Sequence, residues 1–222
     1  MTPLQQQLST LHASLPQGVR LVAVSKFHPA SALQEAYDVG QRIFGESRVQ
    51  ELQEKQALLP SDCEWHFIGH LQTNKVKYIA PYVSLIHAVD SLRLLQEIDR
   101  QATRCQRRIR VLLQIHVAQE STKFGFSPDE LRDFLNEGAW RGCKQVDICG
   151  LMAMASFVDD EEQVRTEFHT AHQLFTWAKA HHFANAPHFS ECSWGMSDDY
   201  SLAIAEGSTL VRIGSKIFGA RQ

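Results

Sequence analysis

The sequence has no C-x-x-C pair, no long hydrophobic run and no excess of positive charge. Its five cysteines, Cys63, Cys105, Cys143, Cys149 and Cys192, are an odd number spread over 222 residues. A disulfide framework belongs to short, cysteine-dense chains, so these read as free thiols in a reducing compartment. No stretch approaches the roughly 18 consecutive apolar residues of a transmembrane helix. Residues 1–16 lack the basic start and apolar run of a secretory signal. The formal net charge is −3, which argues against the basic footprint of a nucleic-acid binder. With 12 glycines and 7 prolines the chain is neither collagen-like nor of low complexity. No internal repeat or interdomain linker is visible. The expectation is a soluble, cytoplasmic α/β protein in which residues 1–222 form one domain, with no membrane and no nucleic-acid partner.

What is present is alternation. Short apolar, β-branched runs stand at 20–25, 42–44, 65–68, 84–88, 109–117, 146–152, 188–192 and 209–213. Amphipathic stretches lie between them. In Ser127-Pro128-Asp129-Glu130, a cap, an N1 proline and a capping-box glutamate follow in order. Thr2-Pro3 repeats the cap-plus-proline pattern and predicts an extra helix before the first strand. Gly40, Gly138 and Gly207 each follow a helical run, where a left-handed residue is wanted. Strands alternating with helices argue for a parallel sheet. Eight such units predict a closed (β/α)8 TIM barrel with an N-terminal extra helix, although such barrels typically take about 250 residues. The alternative is an open doubly wound sheet, which usually shows a glycine-rich turn after its first strand. Here that turn is Ser25-Lys26-Phe27-His28-Pro29 and contains no glycine.

Two features point to the C-terminal mouth of such a barrel. Lys26 follows Val22 and Val24 on one face where the first strand runs out, in the region where barrel active sites lie. Partial desolvation there would lower its pKa and free the amine for Schiff-base chemistry. An exposed lysine at a strand end is the plainer alternative. The second feature is a pair of loops after strands 7 and 8, Gly195-Met196-Ser197-Asp198-Asp199 and Gly214-Ser215-Lys216. Those loops, with a short helix start, are the usual phosphate site of this barrel. The competing reading makes Ser197 a helix cap and Gly214 a turn residue; Asp198 and Asp199 would repel an anion unless turned away. A Schiff-base lysine with a phosphate cup suits pyridoxal 5′-phosphate (PLP). Arg212 would then face the pyridine nitrogen and disfavour a protonated ring, or else form an ion pair inside the barrel.

Longer motifs run along nearly the whole chain. They include residues 21–26 with Pro29, Phe44-Gly45-Glu46 with Val49-Gln50-Glu51, and Trp65-His66-Phe67-Ile68-Gly69 with Leu71-Gln72 and Asn74-Lys75. Further on come Glu120 with Lys123 and Gly125, then Gly150-Leu151-Met152, residues 195–199, and Val211-Arg212-Ile213-Gly214 through Ile217-Phe218-Gly219. In this order they resemble the YggS/PROSC family of pyridoxal phosphate homeostasis proteins. The resemblance implies a barrel like the N-terminal domain of alanine racemase, with PLP on Lys26. It puts Arg212 near the pyridine nitrogen and Ser197, Gly214 and Ser215 in phosphate-contacting loops. It also implies a monomeric role in intracellular vitamin B6 and amino-acid homeostasis without robust turnover, with apo forms of PLP-dependent enzymes as candidate partners. Five positions depart from the family pattern. Ser47-Arg48 replaces Asn-Tyr, Phe27 replaces Thr, His116 replaces Asn and Trp194 replaces Met.

Other readings remain open at this stage. A slow amino-acid racemase would use the same barrel but needs a second proton donor opposite the lysine; no segment around Tyr37, Tyr78, Tyr82 or Tyr200 resembles the racemase catalytic loop, and the racemases' C-terminal domain has no counterpart. A class I aldolase would be colourless until given substrate. Eleven histidines, notably His66/His70 on one strand face and His169/His172 on a helix, raise a metal site without a closed ligand set. Arg100, Arg104, Arg107, Arg108 and Arg110 read as cations at a helix C-terminus, and Asp159 to Glu162 as anions at a helix start. His181-His182 read as a solvated helix end. Glu46 and Glu51 are candidate acid–base groups or ion-pair members.

Overall fold

The computed structural model describes residues 1–118 and 124–219. Glu120 and Lys123 of the motif set lie outside these. Eight parallel strands close into a barrel in sequence order, with β8 returning to β1. The strands are β1 Arg20–Val24, β2 Ile43–Glu46, β3 Glu64–Phe67, β4 Leu85–Val89, β5 Ile109–Gln114, β6 Val146–Met152, β7 Glu191–Ser193 and β8 Leu210–Ile213. The helices are α1 Pro3–Ser14, α2 Ala30–Asp38, α3 Val49–Gln56, α4 Val76–Ile79, α5 Leu92–Arg104, α6 Pro128–Glu137, α7 Glu161–His182, α8 Tyr200–Ala205 and α9 Ser215–Phe218. The (β/α)8 expectation holds, and α1 is the extra N-terminal helix.

The predicted ends are where the caps put them. Thr2 and Ser127 each close a capping box, with Gln5 and Glu130 respectively. Gly40, Gly138 and Gly207 all take positive φ. Asp160 caps α7 and Glu161 and Glu162 fill its first turn, which suits the positive end of the dipole. Three strand ranges shift by two or more residues at one end. β7 starts three residues later than the apolar run and takes in Ser193, β5 stops at Gln114, and β2 runs on to Glu46. The arginine series is corrected too. Only Arg104 is in the last turn of α5. Arg107 instead donates to the carbonyls of Ala80 and Val83. Arg108 pairs with Asp147, Arg110 with Glu191 and Arg100 with Glu97.

The core has two parts. The larger lies between strands and helices, with Phe44, Phe67, Phe168 and Leu52 fully buried. The smaller fills the barrel with Val22, Leu85, Ala88, Leu112, Cys149, Met152 and Leu210. Gly150 sits where β6 shifts register against β5. Its φ is 154° and a Cβ there would lie 1.8 Å from the Glu191 carbonyl oxygen, so only glycine fits. Burial pushes the Cys63 thiol up to about 11, and raises Cys149 and Cys192 as well, so these thiols are inert near neutrality. No described helix is long and apolar enough to cross a membrane.

Candidate functional site

At the C-terminal mouth of the barrel is a cavity of about 450 Å³, within the usual range for small-ligand sites. All five site residues expected from the sequence line it: Lys26, Ser197, Arg212, Gly214 and Ser215. Val24, Ile68, Met152 and Met196 supply apolar wall, and His28, Ser47, His70 and Gln114 supply polar groups. Lys26 is half-buried and follows Val22 and Val24 out of β1, as the alternation required. No tyrosine is among the lining residues.

The two closing loops are stitched together. The Gly214 N–H donates to Ser197 Oγ at 3.3 Å. The cap of α8 is Asp199, not Ser197, so the reading of Ser197 as a helix cap does not hold. Ser197 Oγ, having accepted from Gly214, keeps its own proton free to donate. A Cβ on Gly214 would come within 3.0 Å of the Val24 carbonyl oxygen, so the loop after β8 packs directly on β1. In α9 the hydrogen bonds begin with Ile217 and Phe218 donating to Gly214. The amides of Ser215 and Lys216 precede them, as helix-start amides do. Both α8 and α9 are very short, so the cup rests on hydroxyls and individual amides rather than on a long helix dipole. Asp199 is turned back onto the Met196 N–H at 2.5 Å, while Asp198 stays exposed at the rim.

Arg212 is 4% exposed and forms no ion pair among the described residues. Its Nη1 donates to the Ser193 carbonyl at 2.7 Å and to Ser193 Oγ at 2.6 Å, and Nη2 to the Ala153 carbonyl at 3.0 Å. Desolvation lowers its pKa to about 10, so it remains a cation at neutral pH. Behind it, His87 Nδ1 lies 2.9 Å from Ser193 Oγ, and His87 Nε2 lies 3.0 Å from His66 Nδ1. The direction of this chain is set from its charged end. Ser193 Oγ accepts from Arg212 and therefore donates to His87 Nδ1. His87 then carries its proton on Nε2 and donates to His66 Nδ1. His66 Nε2–H has no partner; the nearest carboxylate oxygen, on Glu64, is 3.9 Å away. Both rings are fully buried. Burial and the Arg20 and Arg110 guanidiniums lower His66 to about 3, and burial with the His66 and arginine neighbours depresses His87 as well.

The histidine pairing expected from the sequence is thus corrected. His66 is inside the barrel with His87, whereas His70 is at the rim against Phe124. His169 meets Glu206. Among the described residues there is no group of three or more metal-ligating side chains. Glu46 and Glu51 do not line the cavity; both pair with Lys55. Two of the departing positions meet, since the Arg48 guanidinium lies 4.6 Å from the Phe27 ring centre. Sequence reasoning missed Ser193, His87 and Lys55. The only signals were a histidine amid the apolar run 84–88 and the i, i+4 spacing of Glu51 and Lys55.

Comparison with known proteins fits this geometry. The alanine racemase N-terminal domain family matches residues 2–222. The pyridoxal phosphate homeostasis protein of Escherichia coli K12 is 40% identical over 93% of this chain and 87% of its own length. Its counterpart from Aquifex aeolicus is 38% identical over 91% and 87%. The structure of PipY from Synechococcus elongatus PCC7942 with PLP bound superposes with a TM-score of 0.86 at 38% identity, covering 97% of this chain and all of that one. Alanine racemase from Streptomyces lavendulae shares the fold alone, at TM-score 0.75 and 16% identity over 98% of this chain and 56% of that one. The chain belongs to the alanine racemase N-terminal domain family and, within it, to the pyridoxal phosphate homeostasis proteins.

Proposed function

We propose that this chain, acting as one domain, holds pyridoxal 5′-phosphate and serves intracellular vitamin B6 and amino-acid homeostasis as a carrier rather than a catalyst. The carrying observation is the convergence of Lys26, Arg212 and the stitched Ser197–Gly214–Ser215 loops on one cavity. These residues fit the group. The cavity offers an amine, a buried cation, hydroxyl and amide donors for a phosphate, and apolar walls for a ring. Lys26 would hold it, its Nζ condensing with the aldehyde to a Schiff base with loss of one water and no redox change. When bound, PLP would supply an electron sink to an attached amine. Arg212 would limit that sink if the ring nitrogen faced it, because a permanent cation there disfavours protonation of the ring. Its hydrogen-bond partners among the described residues are neutral oxygens, so none of them cancels its charge. Ser197, Ser215 and the amides beside them hold the phosphate. The names of the relatives describe homeostasis and not a reaction, which supports the carrier reading.

The test is an absorption spectrum of the purified protein saturated with PLP, followed by hydride reduction and mass spectrometry. Wild type is expected to show a visible band and one fixed adduct on Lys26; Lys26→Ala is expected to lose both. An unchanged band and adduct in Lys26→Ala overturns the assignment. Deuterium exchange at Cα of alanine at catalytic protein levels decides the rival racemase reading. Rapid exchange would replace the carrier with an enzyme.

A further inference from the structure

The turn that carries Lys26 is held on both sides by one cluster of charged residues. The carbonyl of Ser25, just before it, accepts from Lys55 Nζ at 2.6 Å. The amide of Phe27, just after it, donates to Glu51 Oε1 at 2.5 Å. The same Lys55 Nζ donates to Glu46 Oε1 and to Glu51 Oε1, each at 2.7 Å. All three of its protons are therefore used. Ser25 Oγ also donates to Glu46 Oε1, at 2.6 Å. Lys55 is 5% exposed and Glu46 fully buried, while the Glu51 side chain keeps 17% exposure, so the cluster is dry on its Glu46 side and reaches the surface at Glu51. Its members come from β2 and α3, outside the barrel wall, and none lines the cavity.

This expense needs a reason. Phe27 has φ 69°, a left-handed conformation that an L-residue with a bulky side chain avoids. Left alone, the turn would relax and the chain would leave β1 in another direction. A buried ion cluster is a poor source of net stability but a good source of fixed geometry. We infer that Glu46, Lys55 and Glu51 are positioning residues for Lys26: they clamp the peptide groups before and after it and so set the direction in which its amine enters the cavity. The inference rests on the proposal that Lys26 holds PLP.

The experiment compares Glu51→Ala with Glu51→Gln in the full chain, with Lys26→Ala as control. The readouts are the rate and affinity of PLP uptake by absorbance and the urea midpoint of the PLP-free protein. The glutamine keeps an oxygen that can accept from Phe27 N–H. Glu51→Ala is expected to slow uptake and weaken affinity about tenfold, the scale of one lost hydrogen bond to a charged group. Glu51→Gln is expected to stay within about threefold. Glu51→Ala with a lowered urea midpoint but wild-type uptake overturns the inference, because the cluster would then serve only the fold. Equal losses in both variants overturn it too. If Lys26→Ala still yields the hydride-fixed adduct, the Lys26 reading falls and takes this one with it. Should Glu51→Ala not fold, Ser25→Ala removes one bond and no charge; it is expected to slow uptake about threefold, and wild-type uptake there overturns the inference.

Discussion

Mild acid should unfold this barrel through its two central histidines. His66 and His87 are neutral, fully buried and linked to each other. In the unfolded chain each takes a proton near pH 6.5. In the folded chain His66 resists protonation down to about 3, and His87 is likewise depressed. Their folded values are lower than their unfolded ones. Their contribution is therefore full above about pH 6.5 and is lost as the pH falls towards the folded values. Each histidine has a limiting slope of about 1.4 kcal/mol per pH unit. Integrated from pH 7 to pH 5, that is about 2 kcal/mol for His66, with His87 adding a loss of the same sign, a large part of a typical 5–15 kcal/mol. Glu46 works with the opposite sign, since burial raises its pKa. Part-exposed His28 and His182, both lowered by burial, add a smaller term of the same sign as the pair. The assay is urea unfolding at pH 7, 6 and 5 for the wild type and for a His66→Leu/His87→Leu double variant. The double variant removes both partners of the internal hydrogen bond together, which avoids stranding one of them. Glu46, His28 and His182 are common to both proteins and cancel in the difference. The wild type should lose more than the variant between pH 7 and pH 5, by at least the about 2 kcal/mol of His66. Parallel pH profiles would refute the reasoning and mean that water reaches the rings.

Arg212→Glu removes the permanent cation from the cavity and should red-shift or intensify the visible band of the PLP-loaded protein. It should also lower stability by several kcal/mol, because a buried carboxylate would face the Ser193 and Ala153 carbonyl oxygens that Arg212 satisfied; a spectrum that superposes on the wild type would separate Arg212 from the ring. Ser197→Ala combined with Ser215→Ala should weaken PLP retention by about 1–3 kcal/mol, since the backbone amides remain. Undiminished retention on equilibrium dialysis would remove the two hydroxyls from the phosphate cup.

Much of the fold was legible because its signals are local. Cap residues, the proline at N1 and a change of hydrophobic period each act within one or two turns of chain, and Thr2, Ser127 and Gly138 all behave as their chemistry requires. The strand ends were less legible. β7 has only three residues, and its start is set by pairing with β6 and β8, not by its own composition. That Lys26, Ser197, Arg212, Gly214 and Ser215 share one cavity was legible because strand parity and the loops after strands 7 and 8 point to one place. Their supporting residues were not. Ser193 looks like a small loop residue, and Lys55 like an exposed lysine on a helix. The burial of each follows from contacts across long sequence separations: Lys55 to Ser25, and Ser193 to His87, 106 residues away.

The two cations of the cavity are braced by opposite means, and electrostatics supplies a reason. Arg212 is held from inside the barrel by a hydroxyl and two carbonyls. Neutral acceptors fix a guanidinium without cancelling its charge, so its field still reaches the cavity; a carboxylate in the same place would have neutralised it at short range in a dry site. Among the described residues the charged group that acts on it is Asp199, whose carboxylate is already engaged by the Met196 amide. Lys26 has the reverse need. In the proposed site its amine reacts while its backbone stays put, and the charges that brace it sit behind the barrel wall, where they hold the peptide groups on either side of it and the Ser25 hydroxyl. Exchanging the two schemes would fail in both places. A carboxylate beside Arg212 would restore a protonated ring, and neutral groups around Phe27 would hold its left-handed turn less firmly than ionised ones do.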